Sequence, residues 1–176
     1  LQTQVSGWMD TVVLGFFVSN GLVGIYNVSW NLGIILALAS QSLASALFPT
    51  LSKLDAKDDL QSFSSILNEA FRYAGILCFP GIVGLAIVGP KVLRVYGSEF
   101  PEGAEIAVLL GVFALLSSYQ GQFQTALNAL DRPDLAFRVN AVFVVVNITG
   151  NFVLVATIGW IGAAIATTVS MGVALG

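Results

Sequence analysis

The sequence predicts an all-α integral membrane fold of six apolar helices, the first and last of them truncated. Three observations carry this. Of 176 residues, 56% are hydrophobic and only 10% charged, and the mean hydropathy of +0.86 lies far above that of a domain with a charged, water-facing surface. Apolar runs near or above the ~20 residues needed to cross a ~30 Å hydrocarbon core recur down the chain, separated by short segments that hold nearly all the charges. The runs do not alternate in polarity, which sets aside a transmembrane β-barrel.

The composition also excludes classes of function. Cys78 is the single cysteine and there is no histidine, so a disulfide framework or a Cys/His metal site is ruled out. The net charge of -3 arises from ten acids and seven bases dispersed among loops, without the basic stripe that would follow a nucleic acid. The chain starts at Leu1 with no methionine or basic leader and stops at Gly176 inside an apolar run, so it reads as a fragment of a longer protein.

The first helix is expected over about 1–18, and the turn residues Ser19, Asn20 and Gly21 separate it from the second, about 22–48, which Pro49 is expected to close. Lys53, Asp55, Lys57, Asp58 and Asp59 crowd the next stretch, too many charges for hydrocarbon, so it is read as a water-facing loop. Asp59 or a nearby serine can cap the next helix. Leu60, Phe63, Leu67 and Phe71 keep near-helical spacing and suggest an interfacial helix that enters the bilayer as the third span, about 66–89. Pro90 to Gly103 reads as a surface connection. The remaining spans are expected over about 104–130, 135–158 and 162–176, with a tight polar turn at Asp131, Arg132, Pro133 and Asp134. Tyr26, Tyr96 and Trp160 fall near expected interfaces, as aromatic belts do.

Basic residues set the orientation. The connections after the second and fourth helices share one side and hold Lys53, Lys57, Arg72, Arg132 and Arg138, against Lys91 and Arg94 on the other. The bias places the loops after Phe48 and Leu130 in the cytoplasm.

A polar side chain in a lipid-solvated helix must find a partner or a water-filled cavity, so its angular position is informative. At about 100° per residue, Asn140, Asn147 and Asn151 fall within roughly 40° of one another on helix five. On helix four, Ser117, Gln120, Gln124 and Asn128 span roughly 80°, and on helix two Asn27, Asn31, Gln41, Ser42 and Ser45 share about 100°. Two readings stand beside each other. The amides can line a hydrated cavity that binds a sugar-rich headgroup, or they can hydrogen-bond helix to helix in a closed bundle.

Asp10 lies about nine rises of 1.5 Å, roughly 13 Å, from the surface near Ser19, close to mid-depth. A carboxylate there should face a lumen, carry a proton or pair with a cation; it is a candidate for coupling to H+ or Na+, or alternatively a packing residue supported by Gln4 or Thr11. Glu69 and Arg72 are spaced for a local ion pair, and Arg72 and Arg138 are candidate contacts for a diphosphate. Pro80 and Gly81 interrupt the third span and suit a hinge. Gly159, Ala163 and Thr167, with Gly162, Ala166 and Ser170, give the last helix two small-residue faces for close packing.

Several stretches in order resemble a known family. They are Asp10-Thr-Val-Val-Leu-Gly-Phe-Phe, Val23-Gly-Ile-Tyr-Asn, Ala46-Leu-Phe-Pro-Thr-Leu-Ser-Lys-Leu, Arg72-Tyr-Ala-Gly to Pro80-Gly, Val95-Tyr-Gly-Ser-Glu-Phe, Ala129-Leu-Asp-Arg-Pro and Ile161-Gly-Ala-Ala-Ile-Ala-Thr. Together they are similar to the polysaccharide-biosynthesis flippases of the multidrug/oligosaccharidyl-lipid/polysaccharide exporter superfamily. The resemblance implies the C-terminal, six-helix lobe of a twelve-helix MATE-like flippase, working with a missing N-terminal half in the plasma membrane. It implies membrane lipids as surroundings and a polyprenyl- or dolichyl-diphosphate-linked oligosaccharide as substrate, moved by alternating access. No cofactor is expected beyond a coupling ion, and no enzymatic activity. A cation-coupled small-molecule or multidrug antiporter of the same superfamily is the alternative. A membrane glycan-assembly enzyme is more remote, because Asp55, Asp58 and Asp59 form no active-site constellation.

Overall fold

A computed structural model describes residues 2–176. The order of elements is α1 (Gln2–Phe17), α2 (Asn20–Asp55), α3 (Leu60–Leu93), a short 3-10 turn (Phe100–Gly103), α4 (Ala104–Ala129), α5 (Pro133–Ile158) and α6 (Ile161–Leu175), with no strand among the described residues. Stretches of α2, α3, α4 and α5 are each long and apolar enough to cross a membrane, and Gly7–Phe17 and Ile161–Leu175 are shorter apolar helices. The chain is a multi-pass membrane protein.

α4 is the hub. It packs against α2, α3 and α6, while α5 packs chiefly against α6 and α1 leans on α2, α5 and α6. Aromatic and branched side chains fill the centre: Leu14, Tyr26, Trp30, Leu110, Phe113, Phe143 and Met171 form one apolar cluster. Leu51, Phe63, Ala126 and Ala129 form a second between α2, α3 and α4. Exposed Phe16, Ile87, Phe137 and Val145 are what a lipid-facing surface requires.

Two helices outrun their expected ends. α2 passes through Pro49 and stops only at Asp55. Pro49 denies the Ser45 carbonyl its helical partner, yet both residues are exposed, so water can satisfy that carbonyl at modest cost. The interfacial helix and the third span are one continuous α3, which Asp59 caps by accepting from the Ser62 N–H at 3.1 Å. That bond holds the Asp59 carboxyl below the usual carboxylate range. Charge density marked where the chain leaves hydrocarbon, but a helix can continue in water past that point.

The helix also runs unbroken through Pro80 and Gly81. A Cβ on Gly81 would collide with the Leu36 side chain of α2, so this glycine serves a close helix crossing. The same device recurs elsewhere. A Cβ on Gly33 would meet Leu110 Cβ at 2.6 Å where α2 crosses α4, and one on Gly162 would collide with the backbone of Leu154. Gly159, at φ 73°, makes the two-residue turn that folds α6 back along α5. Buried Gly162, Ala163, Ala166, Thr167 and Ser170 then form the α6 packing face.

Gly162→Ala in the full-length protein is expected to cost about 1–3 kcal/mol through overpacking. Gly84→Ala, where a Cβ meets nothing within 4 Å, should be near neutral. Thermal melting of the two purified variants in one detergent checks the contrast.

Candidate functional site

Asp10 has no exposed surface. Its carboxylate is held by the next helix, α2, and by α5 and α6, which are distant in sequence. The Tyr26 hydroxyl of α2 donates to Oδ2 at 2.6 Å, and Asn151 Nδ2 of α5 donates to Oδ1 at 2.9 Å. The Thr167 hydroxyl of α6 lies 2.9 Å from Oδ1 and 2.8 Å from Oδ2. Behind it, Asn147 Nδ2 donates to the Thr167 oxygen at 2.8 Å. Asn147 and Asn151 lie one turn apart, which aims both amides at α6 and α1. The small residues of α6 let it approach: a Cβ on Gly150 would touch Ala166 at 3.4 Å.

An ionised carboxylate only accepts hydrogen bonds, and here it receives hydroxyl and amide donors. The accounting is incomplete on the other side. The carbonyl oxygens Oδ1 of Asn147 and Asn151 are buried and have no partner among the described residues. Two buried acceptors on the amides around a carboxylate leave capacity for a donor or a cation beside it.

The structure thus corrects several expectations. Asp10 meets no basic residue among the described residues and closes a polar node between helices, with Tyr26, Asn151 and Thr167 in the supporting place expected of Gln4 or Thr11. Thr11, on the adjacent face, instead lies 3.0 Å from Asn27 Oδ1 and 2.7 Å from the Gly7 carbonyl, while the Gln4 side chain lies outside the described residues. Tyr26 is fully buried and is no interface aromatic. Glu69 accepts from the Tyr73 hydroxyl at 3.2 Å and not from Arg72. Among the described residues the ion pair is Arg132 with Asp134, at 3.3 Å in the exposed turn.

Among the described residues the amide stripes are divided between separate places. Asn147 and Asn151 belong to the node. Asn140 accepts from Gln120 Nε2 at 2.9 Å, tying α5 to α4. Gln120 and Gln124 then line a groove of about 140 Å³ with Phe123, Leu127, Val139 and Leu175. Ser117 is buried and Asn128 exposed. Asn27 and Asn31 line a separate groove between α1 and α2. Gln41 is half-buried, and the exposed Ser42 and Ser45 return their hydroxyls to the Leu38 and Gln41 carbonyls. Arg72 and Arg138 are both exposed, on helices whose main packing partners differ, so direct packing does not bring them together.

Tyr26 and Thr167 are the partners that sequence reasoning missed. The available signal was a tyrosine within an apolar span, since a buried phenol normally requires an acceptor. A second buried polar group also went unread: Gln122 Nε2 donates to the Ser40 carbonyl at 3.2 Å, between α4 and α2.

The whole chain, residues 1–176, matches the family described as Lipid II flippase MurJ. The chain belongs to the MurJ family. Two relatives from Haloferax volcanii are similar along most of it. One, "Probable flippase AglR", is 42% identical over 174 residues, covering 97% of this chain and 37% of the relative. The other, "Probable low-salt glycan biosynthesis flippase Agl15", is 31% identical over 167 residues, covering 94% and 35%. A solved structure titled "Lipid II flippase MurJ, inward closed conformation" superposes with a TM-score of 0.76 at 18% identity, covering 99% of this chain and 38% of that one. This chain therefore spans little more than a third of the length of the curated relatives. The resemblance drawn from sequence motifs led to the polysaccharide-biosynthesis flippases; MurJ is the flippase family that matches.

The buried Asp10 node should bear on folding. Tyr26→Phe in the full-length protein is expected to cost about 1–3 kcal/mol, because it removes a buried donor from a carboxylate. Adding it to Asp10→Ala should cost much less. A double-mutant cycle by denaturant unfolding in detergent measures the difference.

Proposed function

We propose that the full-length protein containing this chain flips a polyprenyl- or dolichyl-diphosphate-linked oligosaccharide across the cell membrane by alternating access, driven by Na+ or H+ acting at Asp10. The names of the Haloferax relatives and of the family support a lipid-linked glycan as cargo. The basic-residue bias supports cytoplasmic loops after Phe48 and Leu130.

The observation that carries the coupling role is the pair of unpartnered carbonyls beside a buried carboxylate. An asparagine amide has two faces. Its NH2 suits a bare carboxylate, as at Asn151, whereas its carbonyl suits a cation held on that carboxylate. Turning the Asn147 and Asn151 amides would thus replace donors by oxygen ligands, of the kind that hard cations take. A proton on Asp10 would act in the same sense by creating a donor that the free carbonyls can accept.

Either event changes what joins α1 to α5 and α6 at one point. Asp10 receives bonds from three other helices, so adding or removing charge there alters the relative stability of two packings of α1. That is the requirement for an ion gradient to bias the direction in which a cavity opens.

In proteoliposomes holding the full-length protein and a fluorescent lipid-linked oligosaccharide, a sodium or proton gradient is expected to drive the glycan to the opposite leaflet. Asp10→Asn should slow this about tenfold or more, the scale of a lost charge-assisted contact, with membrane insertion unchanged. Glycan that stays in its original leaflet under every imposed gradient would contradict the proposal.

A further inference from the structure

The groove between α1 and α2 has a chemistry of its own. Gly7, Trp8, Thr11, Asn27, Trp30 and Asn31 line a space of about 330 Å³, at the small end of the ~300–1,000 Å³ range for ligand sites. Trp8 is 74% exposed, and Asn31 is exposed as well. Both lie eleven residues from the α1–α2 turn at Ser19 and Asn20, which is about 16 Å along each helix and near the middle of a ~30 Å hydrocarbon core. An interface belt would hold its tryptophan at the membrane surface. An asparagine exposed at mid-depth cannot face lipid without cost, so this face opens on water or on a polar partner.

The groove carries no charged side chain among its lining residues; Asp10, on the same helix, is turned away and fully enclosed. A diphosphate needs cations and would find none here. The groove supplies instead a broad indole face at Trp8, the Asn31 amide with both donor and acceptor capacity, the remaining N–H and lone pair of Asn27, whose amide already bonds the Val23 carbonyl and Thr11, and the Trp30 indole. The Nε1 edge of Trp30 sits against α1 because Gly7 has no Cβ, which would stand 3.1 Å from that nitrogen. One apolar face beside neutral amides is the complement of a pyranose, whose C–H face is apolar and whose rim is hydroxyl.

We infer that this groove is a sugar subsite: Trp8 stacks on one uncharged pyranose ring of the transported glycan while Asn31, with Asn27, hydrogen-bonds its hydroxyls. The inference rests on the lipid-linked glycan reading above and adds the place and the part of the substrate that is recognised. It also places recognition beside coupling. Thr11 and Asp10 are neighbours on α1, as Asn27 and Tyr26 are on α2. One step along each helix leads from the groove contact, Thr11 with Asn27 at 3.0 Å, to the node contact, Tyr26 with Asp10 at 2.6 Å.

The test is equilibrium binding to the full-length protein in nanodiscs, comparing dolichyl diphosphate that carries a hexose disaccharide with bare dolichyl diphosphate. Trp8→Ala and Asn31→Leu are each expected to weaken binding of the glycosylated lipid about two- to tenfold, the scale of one aromatic contact or one hydrogen bond. Both should bind the bare lipid as the native protein does, and Trp8→Phe should keep most of the affinity. Native binding of the glycosylated lipid that survives both substitutions would overturn the subsite alone, as would an equal loss for the two lipids. A native protein that binds neither lipid would overturn the lipid-linked glycan reading and the subsite with it.

Discussion

A carboxylate sealed among apolar helices is the constraint on which the rest of the lobe depends. An ionised group taken out of water carries a penalty of several kcal/mol unless donors surround it, and at Asp10 those donors come from α2, α5 and α6. The helices that supply them are thereby fixed in rotation. Tyr26 must point inward from α2, Asn151 must point from α5 to α1, and Thr167 must lie where α6 meets both. Among the described residues α1 is also held by Leu14 in the central apolar cluster and by Thr11 against Asn27, so Asp10 adds a polar anchor to an apolar one.

The packing around the node is arranged to let the donors reach. Lipid tails are as apolar as leucine, so apolar side chains gain little by leaving lipid for one another, and close approach of small residues contributes more. Gly33, Gly81 and Gly162 mark three such approaches, each with a neighbour where a Cβ would go. The α6 face of Gly162, Ala163, Ala166 and Thr167 brings a hydroxyl within reach of α1, with small residues on the turn that precedes Thr167. Small residues and buried polar residues are thus two parts of one design.

Much of the fold was legible because hydrophobic length is a direct physical demand of the bilayer. Helix ends were less so: charges at Lys53 to Asp59 report where water begins, whereas α2 continues to Asp55 and α3 starts at Leu60. In the site, Asp10, Asn147 and Asn151 stood out as polar residues within apolar helices. Their meeting did not, since Asn151 and Thr167 lie 141 and 157 residues from Asp10 and no local period links them. Tyr26 was misread for a related reason. An aromatic hydroxyl near a helix start suits an interface, and only tertiary packing turns it toward a carboxylate. Trp8 carries no sequence signal separating a lipid-facing tryptophan from a groove wall.

The Asp10 node and the α1–α2 groove are joined through consecutive residues on α1 and α2, the route by which an event proposed at one would reach the other. The node is proposed to act as a switch between two packings of α1. The most direct measurement is the distance between spin labels at the exposed positions Phe16 of α1 and Val153 of α5 in the full-length protein. It is followed as sodium is titrated at fixed pH, and again as pH is varied without sodium. A shift in the distance distribution under one of the two titrations, absent in Asp10→Asn, is the expected result. Distributions in the native protein that stay fixed under both would contradict the account.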